Sequence, residues 1–199
     1  MKKILLSVLI ACGVWSAQAA IFQYSVTLNG PNEPTPSLGT GSGTVNYNDA
    51  SHLLQLQVTF TGLISTNGTG TTASHIHAAT VNPFTGTAGV ATQTPSFVGF
   101  PLGVFSGSFS NTLDLTQASS WNAAYITANG GSPGTAEAAL ATAMATGRSY
   151  WNIHSQAFSG GEIRGFLTAV PEPSSLALAG LGIAALVTRM WCKRRANGL

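Results

Sequence analysis

The chain has 199 residues, only 7% of them charged, with 23 glycines and two cysteines, a length that suits one domain of ordinary size with terminal segments. The formal charge of +2 arises at the ends: Lys2 and Lys3 precede the first apolar run, and Arg189, Lys193, Arg194 and Arg195 follow the last. Between them two arginines, Arg148 and Arg164, stand against five carboxylates, Glu33, Asp49, Asp114, Glu137 and Glu162, a net charge of −3, and this excludes the basic patch of a nucleic-acid-binding surface.

Residues 1–19 read as a secretory signal peptide. Lys2 and Lys3 form its positive region, residues 4–10 its apolar stretch, and Ala17-Gln18-Ala19 supplies the small residues before a cut after Ala19. Leu9-Ile10-Ala11-Cys12 offers a competing lipoprotein reading, but the apolar run would be very short and the residues after Cys12 stay apolar. Cys12 lies in the leader and Cys192 in the distal tail, so residues 20–169, read as one domain, contain no cysteine, no disulfide and no thiolate ligand.

Residues 21–28 alternate and predict a first strand; 29–40 is a Pro/Gly/Ser loop. Residues 41–48 and 52–61 predict a hairpin turned at Asn48-Asp49-Ala50-Ser51, with Leu54, Leu56, Val58 and Phe60 on one face. After a Thr/Gly/Asn loop, residues 73–79 predict a strand carrying His75-Ile76-His77, and Asn82-Pro83-Phe84-Thr85-Gly86 turns the chain. Residues 89–93 and 97–109 predict two more strands, the second broken by Pro101 and Gly103. A short helical turn is expected around residues 117–121. Residues 132–147 predict the one good helix, with Ser132 as N-cap, Pro133 at the first position and Gly147 at the C-terminal cap.

Residues 148–168 read as a closing hairpin. Tyr150, Asn152 and His154 alternate with Trp151 and Ile153, Ser159-Gly160-Gly161 turns, and Ile163, Gly165 and Leu167 alternate with Glu162, Arg164 and Phe166. The whole predicts an all-β, antiparallel Greek-key β-sandwich, immunoglobulin-like or Cu/Zn superoxide dismutase-like in order, of about seven to nine strands with one short helix. Leu54, Leu56, Val58, Phe60, Ile76, Trp151, Ile153, Ile163 and Leu167 are the expected core.

Residues 170–199 change character. Val170-Pro171-Glu172-Pro173-Ser174 precedes an apolar run at 176–187 and then the basic cluster. The run is shorter than the ~20 residues of a spanning helix unless 188–191 join it, with Arg189 snorkelling to the interface. The basic cluster favours a cytoplasmic C-terminus. The segment is therefore expected to be a C-terminal membrane helix.

Two resemblances follow from these residues. Tyr150-Trp151-Asn152-Ile153-His154-Ser155 followed by Gly161-Glu162-Ile163-Arg164-Gly165 resembles the C-terminal signature of the CHRD domain, and His75-Ile76-His77 is similar to its upstream His-x-His. That resemblance covers residues 21–169 and implies an extracellular binding module without an established reaction. The tail resembles the PEP-CTERM sorting signal, through Pro171, Glu172, Pro173, Arg194 and Arg195, although residues 196–199 extend past where such signals usually stop. It implies signal peptidase and an exosortase as processing partners, a membrane-bound intermediate, cleavage near Pro-Glu-Pro and transfer to the cell surface or extracellular matrix. A permanent single-pass anchor is the alternative.

The chemistry-bearing residues are few. His75 and His77, two apart on a strand, present both imidazoles to one face, the geometry by which two histidines chelate one ion; His154 is the candidate third ligand, and zinc or copper the ion. The set is similar to the histidines of Cu/Zn superoxide dismutase, without a bridging histidine or a subloop disulfide. The alternative is structural: the rings bond backbone, Glu162, Asn152 or Ser155. A shared ion requires ring nitrogens about 3–4 Å apart and an affinity that falls as pH drops through ~6.5. His52, after a turn, is expected to be exposed. Glu162 and Arg164 share a face and predict an ion pair, between themselves or with a neighbouring strand, in a polar cluster with Asn152. There is no second carboxylate beside Glu162 for acid–base work, no Gly-x-Ser-x-Gly and no phosphate loop. Two functions remain open: a non-catalytic surface or matrix module that binds an extracellular protein or polysaccharide, and an exported zinc- or copper-binding protein open to redox chemistry.

Overall fold

The computed structural model describes residues 20–64, 70–171, 182 and 186–189. The signal peptide, Glu172, Pro173, Arg194, Arg195 and most of the expected membrane helix lie outside the described residues. Among those described, no helix is long and apolar enough to cross a membrane.

The described residues form eight strands, β1 (Ile21–Asn29), β2 (Thr40–Asn48), β3 (Leu53–Thr61), β4 (Thr71–Ala78), β5 (Gly107–Asp114), β6 (Ser149–Ser155), β7 (Ile163–Phe166) and β8 (Thr168–Ala169). They form one antiparallel sheet in the order β4-β6-β7-β1-β2-β3-β5, with β8 also on β1, curled as a half-barrel around its core. The β3–β4, β4–β5 and β5–β6 connections each cross between the two ends of that order, which is the Greek-key feature of the all-β expectation. All nine expected core residues are buried, Trp151 and Ile153 completely.

Local sequence explains the regular elements. In β3, Leu54, Leu56, Val58 and Phe60 are buried while Gln55, Gln57 and Thr59 are exposed. The side-chain carbonyl of Asn48 accepts from the N–H groups of Ala50 and Ser51 and closes the β2–β3 hairpin. Helix α2 (Pro133–Ala145) follows the α1 helix (Ala123–Ala128); Ser132 and Thr135 form its capping box and Gly147 leaves it at a φ of 67°. A 3₁₀ turn at Ala118–Ser120 falls where a helical turn was expected, but α1 is an addition. At six residues it is too short for its three alanines to register as a helix, and its start is held by the Asn122 side chain, which accepts from Ala124 N–H.

The strands expected at 89–93 and 97–109 are a correction. Residues 79–106 form a long connection with only isolated bridges, His77 to Val90 and Thr92 to Trp121, and strand structure resumes at Gly107. Pro95 and Pro101 bring no N–H to a ladder. The connection instead runs along the free edge of β4: Ala78 N–H donates to Gly89 O, Ala91 N–H to Ile76 O and Phe97 N–H to Ser74 O. It also covers what would have been the solvent face of β6, all seven residues of which are buried.

A candidate metal centre

Strand β4 carries His75 and His77, and β6 lies beside it with Asn152 opposite His75, Tyr150 opposite His77 and His154 opposite Ala73. His154 is therefore diagonal to His75, on the same face. Ring centroids are 4.8 Å apart for His75 and His154, 5.5 Å for His75 and His77, and 5.9 Å for His77 and His154. One nitrogen from each ring lies within 4.8 Å of the other two. The triangle is wider than the 3–4 Å that a bound ion imposes. The residues are 6%, 7% and 8% exposed.

Each ring is fixed by one backbone carbonyl. His75 Nε2 lies 2.7 Å from Pro95 O, His77 Nδ1 2.9 Å from Ala88 O and His154 Nδ1 2.9 Å from Ser159 O. A carbonyl only accepts, so each of these nitrogens carries the proton of a neutral imidazole. The lone pairs then fall on His75 Nδ1, His77 Nε2 and His154 Nε2, three buried atoms with no hydrogen-bond partner in the structure. Burial pushes the His75 and His77 imidazoles down to about 4 and lowers His154 as well. At neutral pH the centre is three uncharged nitrogen donors held in the ligating tautomer by carbonyls, the arrangement by which a protein orients metal-binding histidines.

Of the expected ring partners, backbone holds all three rings, through carbonyls of the long connection and of the β6–β7 turn, and Glu162, Asn152 and Ser155 hold none. Sequence cannot flag such groups, because every residue has a carbonyl. Asn152 instead donates to Gly160 O at 3.3 Å.

Of the two pairings left open for Arg164, the one with Glu162 does not form. Glu162, fully buried, accepts from Ser37 Oγ and from Ile64 N–H, both at 2.6 Å. Arg164 pairs with Glu33 at 3.0 Å, and also donates to Asn32 O and, at 3.1 Å, to Gly86 O. The cause is register: Asn29, at the end of β1, lies opposite Arg164, so the turn that follows sets Glu33 against the guanidinium. Burial raises the Glu33 carboxyl, with Arg164 pulling the other way. Arg164 also lies over the Tyr150 ring, Cζ 4.9 Å from its centroid, and Tyr150 stacks on His77 at 4.8 Å. His52 is half-exposed but not free: its Nδ1 is 2.9 Å from Glu137, which also accepts the Tyr47 hydroxyl at 2.7 Å. A carboxylate on the inner side of α2 was the signal for that contact.

Fold and site thus define a cysteine-free antiparallel β domain with a buried cluster of three imidazoles. The CHRD domain family matches residues 24–167, and the chain belongs to that family. A PEP-CTERM protein-sorting motif matches residues 169–195, so this is an exported protein bearing a sorting signal of the kind an exosortase processes. No curated protein and no solved structure matches the chain.

Proposed function

We propose that the protein is a surface- or matrix-sorted, non-catalytic CHRD module that holds one zinc or copper ion on His75, His77 and His154. The observation that carries this reading is that each of three buried, neighbouring imidazoles keeps one ring nitrogen without a hydrogen-bond partner, and that one nitrogen of each lies within 4.8 Å of the other two. Buried polar atoms are ordinarily hydrogen-bonded, and three exceptions in one place have a common explanation in a shared cation. A bound ion would supply Lewis acidity and would tie β4 to β6. The chain's own part is to fix three tautomers through Pro95, Ala88 and Ser159. No carboxylate stands within the triad, which supports binding over acid–base chemistry. Removal of the sorting segment by an exosortase would leave the domain at the cell surface or in the matrix, where an extracellular protein or polysaccharide is its expected partner.

Elemental analysis of the purified protein, after exposure to zinc or to copper and exhaustive dialysis, tests the metal assignment. About one ion per chain is expected, with loss of the ion in His77→Ala. Wild-type protein that retains no ion would overturn it.

A further inference from the structure

Resting on the metal reading above, we propose that the centre is built for monovalent copper and binds Cu(I) more tightly than Cu(II). Donor number is the first argument. Among the described residues the triad is closed at three ligands. The other nitrogen of each ring is spent on a carbonyl. The nearest phenol, Tyr150, has its hydroxyl at Ala88, 3.2 Å from both the N–H and the carbonyl oxygen of that residue. Cu(II) seeks a tetragonal set of nitrogen and oxygen donors, and zinc a tetrahedron of four. A filled-shell monovalent ion is content with three neutral nitrogens.

Charge is the second argument. All three donors are neutral, so the ion's charge enters the site uncompensated. Neither Glu33, paired with Arg164, nor Glu162, bonded through Oε1 to Ser37 and the Ile64 N–H, belongs to the triad. The desolvation cost of an ion scales with the square of its charge, so a divalent ion meets a penalty about four times that of a monovalent one. Arg164 adds to this. Its guanidinium sits above Tyr150, which stacks on His77, and a positive charge so placed repels a cation held by that ring. That field opposes a divalent ion twice as strongly. Burial is the third argument: all three residues are less than a tenth exposed, which leaves little room for the waters that would complete a divalent shell.

The test is a pair of competition titrations on the purified protein, Cu(I) against a bicinchoninate chelator under anaerobic ascorbate and Cu(II) against glycine. Cu(I) should bind at least about tenfold more tightly, each decade raising the potential of the bound couple by ~59 mV. Glu33→Gln, which leaves the Arg164 charge uncompensated, should widen the preference, and Arg164→Met should narrow it. Cu(II) binding as tightly as Cu(I), or tighter, overturns the preference and leaves the metal reading standing. If neither copper ion binds, the preference falls, and the metal reading falls with it if zinc is not retained either; if His77→Ala binds both copper ions as well as wild type, both readings fall.

Discussion

The guanidinium of Arg164 on β7 lies 3.0 Å from the carboxylate of Glu33 in the β1–β2 connection, with the two side chains 8% and 13% exposed. Removing one partner strands the other in a buried site, at a cost of ~3–5 kcal/mol. Two backbone acceptors, Asn32 O and Gly86 O, lose their donor as well. Arg164→Ala should therefore lower the denaturation midpoint sharply. An unchanged midpoint would show the pair to be a surface contact of the ~0–1 kcal/mol kind.

No hydrogen bond or ion pair joins Glu162 to Arg164, which stands two residues after it. A double-mutant cycle on Glu33 and Arg164 should show coupling of about 1–3 kcal/mol, whereas Glu162 and Arg164 should be additive within ~0.5 kcal/mol. Coupling of the second pair equal to that of the first would contradict the hydrogen-bond assignment.

Much of this arrangement was legible in the sequence. The alternation of β3, the Asn48 turn, the Ser132 N-cap, the His-x-His face and the core position of Trp151 are all local or period-two signals. The failures share a cause. Residues 97–109 carry buried aromatics, but Phe97 and Phe100 plug the core from an irregular segment, Phe97 against Trp151 at 5.6 Å and Phe100 against Phe60 at 5.6 Å. Their pattern reports burial, not ladder bonding. The Glu33 partnership depends on the pairing of β1 with β7, a long-range register that no local window contains. The carbonyls that hold the histidines leave no mark in residue identity.

Acid should weaken the metal-free domain in a defined window. His75 and His77 titrate near 4 when folded and near the ordinary ~6.5 when unfolded; His154 is lowered in the same direction. Between these values the unfolded chain binds protons that the folded domain refuses. The stabilisation is complete above pH ~6.5 and is lost as pH falls toward 4. For each histidine, every tenfold difference in proton affinity between the unfolded and folded chain is worth about 1.4 kcal/mol. Denaturant midpoints at pH 7.5 and 4.5 check this, and His77→Gln should show a shallower loss. Equal slopes for the variant and wild type would remove His77 from the account. The same burial moves the expected loss of metal affinity from pH ~6.5 down toward 4.

Processing gives an independent test. In a host with an exosortase, protein extracted from the surface or matrix should lack residues 1–19 and everything beyond the Pro171-Glu172-Pro173 region. Mass spectrometry of both termini reads this directly. An intact Lys193-Arg194-Arg195 tail in the extracellular fraction would contradict cleavage and favour a retained anchor.

The proposed ligands of the ion are His75, His77 and His154. X-ray absorption on protein loaded with zinc or copper measures this most directly. The expected result is an inner shell containing three imidazole nitrogens at ~2.0–2.1 Å from the metal, which requires the triangle of nitrogens, now up to 4.8 Å on a side, to contract around the ion. A shell dominated by oxygen, without imidazole scattering, would contradict it.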